Sequence, residues 1–90
     1  MQIERCNFMN ADYEKELGHN IRMLREKRNL TQEQLSAKLQ IRNCDITRSA
    51  LAKIEVGQRH LYVDEVFHLK NILKVSYDEI FPDKCNGYEE

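Results

Sequence analysis

The chain has 90 residues and a mass of 10.7 kDa, enough for one domain, with 41% hydrophobic and 32% charged residues. That composition excludes a disordered tail, and no apolar stretch approaches the roughly 20 residues a membrane-crossing helix needs. The formal net charge is −1, yet residues 1–20 carry −2, residues 21–60 carry +5 and residues 61–90 carry −4. A basic middle between acidic ends suits a face turned to a polyanion, although a chance scatter of charges would look the same. Cys6, Cys44 and Cys85 are odd in number, far apart and free of any C-x-x-C pair. This argues against a disulfide scaffold or zinc ribbon and predicts a reducing, cytoplasmic setting. The opening Met1–Cys6 lacks the apolar run of a signal peptide, and a large multidomain enzyme is not expected.

Five helices and no strand are predicted. The first runs from about Asp12 to Arg28, with Leu17, Ile21 and Leu24 as its apolar stripe, Asn10 or Asp12 as its cap and Asn29 at its end. Thr31-Gln32-Glu33-Gln34 is a capping box opening a second helix that buries Leu35 and Leu39 and ends near Gln40. Thr47 caps a third helix that stops at Gly57, a residue suited to the left-handed position after a helix. A fourth begins near Val63, carries Asp64 and Glu65 where the helix dipole favours anions, and buries Val66, Leu69, Ile72 and Leu73. Ser76-Tyr77-Asp78-Glu79 reads as a second capping box, for a short fifth helix that Pro82 ends. Ile3, Phe8 and Met9 precede these elements, and a polar tail follows from Asp83.

The third helix carries the chemistry. At 100° per residue, Thr47, Ala50, Leu51, Ile54 and Glu55 fall on one side. Ser49, Ala52, Lys53 and Val56 fall on the other, with Arg48 on the flank. Small residues permit close approach to a groove, an arginine can bond guanine bidentately, and a lysine can reach a base or a phosphate. An ordinary amphipathic surface helix would show the same pattern. No Ser-His-Asp or Cys-His arrangement and no glycine-rich phosphate loop is readable, and His19 and His68 lack metal-ligand spacing. No enzyme activity, cofactor or metal is expected.

Three segments together resemble the Cro/C1-type (XRE-like) helix-turn-helix family. They are residues 17–35 (LGHNIRMLREKRNLTQEQL), residues 47–57 (TRSALAKIEVG) and residues 69–81 (LKNILKVSYDEIF). The resemblance covers about residues 14–81. It implies an all-α, compact five-helix bundle of the lambda-repressor-like type, with residues 1–11 as an N-terminal arm, 12–81 as the DNA-binding domain and 82–90 as a flexible acidic tail. The chain departs from the family in the turn between helices two and three. That turn carries about five extra residues, Ile41 to Asp45, and no glycine, against the usual ~3–4 residues. Ile46 is expected to fill the buried position there and Ile41 to cover the end of the second helix.

The expected roles follow. Arg48, Ser49, Lys53 and Thr47 would read base edges. Thr31 and Gln32 at the start of the second helix would meet phosphate, joined by Gln58, Arg59 and His60 after the third helix and by Arg42 in the long turn. The resemblance implies that Arg25 and Glu55 form a structural pair rather than touch DNA. The expected partners are double-stranded DNA and a second copy in a homodimer, with no membrane. The expected function is a sequence-specific transcriptional regulator, a repressor. The alternatives are an antitoxin-type DNA-binding partner of a toxin, or a protein-interaction module that has lost DNA binding.

Overall fold

The computed structural model describes residues 10–82. Within them the chain forms α1 (Asn10–Lys27), α2 (Gln32–Ile41), α3 (Arg48–Glu55), α4 (Val63–Leu73) and α5 (Tyr77–Ile80), and no strand. The expected arm and tail lie mostly outside the described residues. Helix α1 already begins at Asn10, two residues before the expected start, so Asp12 sits in its first turn instead of capping it.

Local signals set the helix boundaries. The Gln34 amide donates to Thr31 Oγ1 at 3.0 Å and the Thr31 amide to Gln34 Oε1 at 2.9 Å, so the capping box of α2 is closed. Thr47 accepts from the Ala50 amide at 3.1 Å and starts α3. The Ser76 box does not form: the Ser76 side chain makes no cap hydrogen bond, and the Glu79 amide donates to the Ser76 carbonyl at 3.1 Å instead. Asn29, Asn43, Gly57 and Lys74 each end a helix with positive φ.

The long turn is built on the second of these. Asn43, at φ 63°, sends its amide to the Gln40 carbonyl, and Cys44 sends its amide back to the Leu39 carbonyl. This is a Schellman closure made with asparagine in place of glycine. Cys44 then turns into the core at 4% exposure, while Ile41 stands 82% exposed. The expectation that Ile41 covers the end of α2 is therefore wrong, because the Schellman geometry brings the residue after Asn43 back onto Leu39. Ile46 is fully buried, and its carbonyl accepts from Ser36 Oγ at 2.7 Å and Gln40 Nε2 at 3.0 Å. Those two bonds pin the far end of the turn to α2.

One core joins all five helices, with Ile21, Leu35, Leu39, Leu51, Leu69 and Ile80 among its buried members. Leu24 and Ile72, expected inside, are half-buried at its edge. Each fully buried aliphatic side chain contributes about 1.5–3 kcal/mol. An eight-residue helix such as α3 is unstable alone, so the core and not helix propensity holds it in place. Helices α1 and α3 approach closely: a Cβ built on Gly18 would lie 2.1 Å from the Ile54 carbonyl oxygen. Only glycine lets the end of α3 abut α1 there.

Candidate nucleic-acid interface

The α1–α3 contact carries a buried charge. Arg25 donates from Nε to Glu55 Oε2 at 2.7 Å, from Nη2 to Glu55 Oε1 at 3.1 Å, and from Nη1 to the Leu30 carbonyl at 2.8 Å. Both residues are buried. Gln32 Nε2 adds a third bond to the carboxylate, on Oε1 at 3.0 Å. One carboxylate on α3 thus gathers α1 and the first residue of α2, fixing the angle at which α3 is presented. A bidentate arginine suits this because its planar fork matches both carboxylate oxygens.

Turned outward from this anchor, Arg48, Ser49 and Lys53 are exposed on α3, with Ala52 half-buried between them. Thr47 is exposed at the cap. A cleft of about 390 Å³ opens beside them, lined by Arg25, Leu30, Thr31, Gln32, Glu33 and Arg48. The structure therefore brings Thr31 and Gln32 together with Arg48 at one opening between the starts of α2 and α3.

The remaining expected contacts are placed differently. Gln58 is exposed beyond Gly57. Gly57 itself has φ 81°, and a Cβ there would lie 2.9 Å from the Lys15 Cα, so this loop packs on α1. His60 Nδ1 lies 2.5 Å from Glu14 Oε2, again on α1. Arg42 donates from Nε to His68 Nδ1 at 3.1 Å and so leans toward α4. Arg59 is bound within the protein. Its Nη1 and Nη2 donate to Glu65 Oε1 and Oε2, both at 3.0 Å, and Nη1 also reaches the His60 carbonyl at 2.9 Å. Its guanidinium carbon lies 5.8 Å from the centre of the Tyr62 ring.

Burial acts to raise the Glu65 carboxyl, but the hydrogen bonds from Arg59 and the Tyr62 amide outweigh it and leave its pKa below the usual 4.5. The hydrogen bond to Glu65 raises Arg59 in turn. Burial, followed by the nearby Glu65 and Asp64 charges, raises the Cys44 thiol and keeps it protonated and unreactive near neutrality.

The sequence missed two of these features. Glu65 reads in the sequence as an anion favoured by the helix dipole, yet it is the partner of Arg59. Gly18, a glycine inside a helical pattern, was the available signal for a close approach. Four arginines of the basic middle of the chain are also engaged within the protein. Arg25 is bound by Glu55, Arg59 by Glu65 and Arg22 by Glu26. Arg28 donates to the Leu73 and Lys74 carbonyls at the end of α4. Among the described residues, no group of three or more His, Cys, Asp or Glu could hold a metal ion, and no helix is long and apolar enough to cross a membrane.

Residues 21–80 match the helix-turn-helix family, which is two thirds of the chain. The chain belongs to the Cro/C1-type (XRE-like) helix-turn-helix family, a family of DNA-binding transcription regulators. Among solved structures it is similar to one described as the DNA-binding domain of BldD, with a TM-score of 0.69 and 24% identity over 80% of this chain and 97% of that one. At that identity the likeness shows the fold. No curated protein matches the chain.

Proposed function

We propose that this helix-turn-helix protein is a sequence-specific transcriptional regulator that represses by occupying its DNA site as a homodimer. The observation that carries the reading is the exposed Arg48, Ser49 and Lys53 face of α3, held beside the Thr31–Gln32 cleft by the buried Arg25–Glu55–Gln32 network. Arg48 and Ser49 open α3 and would read base edges, with Thr47 at the rim. Lys53, one turn on, reaches a base or a phosphate. The start of α2 leaves N–H groups without intrahelical partners, so Thr31 and Gln32 suit a phosphate and would fix the register. Gln58 and His60 would extend the backbone contacts from the loop after α3, and Arg42 stands at the end of α2. The described DNA-binding role of the BldD domain agrees with this reading.

The second copy has a candidate surface. A groove of about 860 Å³ is lined by Leu17, Leu61, Val63, Phe67, Tyr77 and Phe81, along α1, α4, α5 and the loop before α4. It takes no residue from α2 or α3, so pairing there leaves the reading helix and the start of α2 free. Val63 is 88% exposed at its edge, and Phe67, Tyr77 and Phe81 are exposed with it. A stable interface covers about 800 Å² per partner, and an apolar patch of this kind is where one would form.

Selection from random duplexes tests both parts. The expected site is an inverted repeat with half-site centres about 34–36 Å apart. No enrichment, with no duplex retained at low salt, would overturn DNA binding. Enrichment of a single half-site, with light scattering showing a monomer free and bound, would overturn the homodimer alone.

A further inference from the structure

We infer that Glu65 is a positioning residue for DNA binding, which acts by withholding the Arg59 guanidinium from the phosphate backbone. The inference rests on the proposed DNA-binding reading and goes beyond it, because a cation four residues past the end of the reading helix would otherwise be an obvious phosphate contact.

Three observations carry it. First, the clasp engages both terminal nitrogens of the guanidinium: Nη1 and Nη2 meet the two Glu65 oxygens, and Nη1 also holds the His60 carbonyl. Second, the carboxylate cannot easily release its partner. The Glu65 side chain is only 10% exposed, against 28% for Arg59, so departure of Arg59 would strand a largely buried anion. Third, Glu65 is itself fixed, since its Oε1 also accepts the Tyr62 amide at 3.0 Å where α4 begins. The anion is built into the fold, and the cation is the more exposed half of the pair.

The consequence is electrostatic. A phosphate contact releases counterions, and each neutralised phosphate steepens the fall of log affinity with log salt by about 0.9. A clasped Arg59 contributes nothing to that slope. Glu65→Gln removes the carboxylate charge while an amide oxygen can still accept the Tyr62 bond, and it frees Arg59 for the backbone.

The test is a salt titration of binding to the selected duplex by wild type, Arg59→Ala and Glu65→Gln. Arg59→Ala is expected to keep the wild-type slope even though it melts earlier. Glu65→Gln is expected to steepen the slope by about 0.9 per protomer and to bind preferred and scrambled duplexes more tightly alike. A slope flattened by about 0.9 in Arg59→Ala, or an unchanged slope in Glu65→Gln, overturns the inference while DNA binding stands. A wild type that retains no duplex overturns the DNA-binding reading, and this inference with it. Arginine side-chain NMR of the wild type gives a second measurement that needs no variant to fold. On adding duplex the Arg48 signals should move and those of Arg59 should stay. Arg59 signals that move as far as those of Arg48 would overturn the inference.

Discussion

Among the described residues, two bidentate arginine–carboxylate pairs behave differently. Arg25–Glu55 sits between α1 and α3 with side chains 9% and 2% exposed; Arg59–Glu65 closes the loop between α3 and α4 at 28% and 10%. The chemistry is the same, but the environment decides what each pair does. The first is sealed in the packing and sets the pose of α3. The second borders solvent and controls where one cation points.

The largest effect should come from the sealed pair. Glu55→Ala or Arg25→Ala leaves an uncompensated buried charge, and thermal melts should show a loss of about 3 kcal/mol. Melting like wild type would mean the pair does not hold α1 to α3. Gly18→Ala attacks the same contact without touching charge. Its Cβ would meet the Ile54 carbonyl, a backbone atom that cannot swing aside. A loss of about 2 kcal/mol is expected from such overpacking. If Gly18→Ala is neutral or stabilising, the two helices are not in the tight contact described.

The loop pair should matter less. Arg59→Ala should cost about 2 kcal/mol, because it strands the largely buried Glu65 carboxylate while solvent already screens part of the interaction. If it costs as much as Arg25→Ala, the contrast between the pairs fails. Acid sharpens the comparison further. The Glu65 carboxyl is held below its usual 4.5 in the fold, so its stabilisation is fully present above 4.5. It is lost as pH falls through the folded value. Melting curves from pH 7 to pH 3 should therefore show wild type losing more stability than Glu65→Gln. Parallel losses would mean that the carboxylate is not specially stabilised.

The fold was legible because its signals are local. The capping box at Thr31, the cap at Thr47, the Gly57 stop and the spacing of Leu17 and Ile21 each act within a few residues. The Arg25–Glu55 pair, 30 residues apart, came only from the family resemblance. What stayed hidden depended on contacts between elements. Arg59 looked free because its partner lies in the first turn of the next helix, where an acid already has a local reason to be. Ile41 looked buried because hydrophobicity alone cannot show that a Schellman closure at Asn43 would turn Cys44 inward instead. The charge excess of residues 21–60 overstated the basic surface by one charge, because counting by segment cannot show that Arg59 is paired with Glu65 outside that segment.

The account rests on α3 as the reading element, and one comparison tests it most directly. Binding of wild type and Arg48→Ala is measured on the selected duplex and on a scrambled one at matched salt. Arg48→Ala should lose about 1–3 kcal/mol on the selected duplex and much less on the scrambled one, because a bidentate base contact discriminates between sequences. Equal losses on both duplexes, or none on either, would contradict the claim that this face of α3 reads DNA.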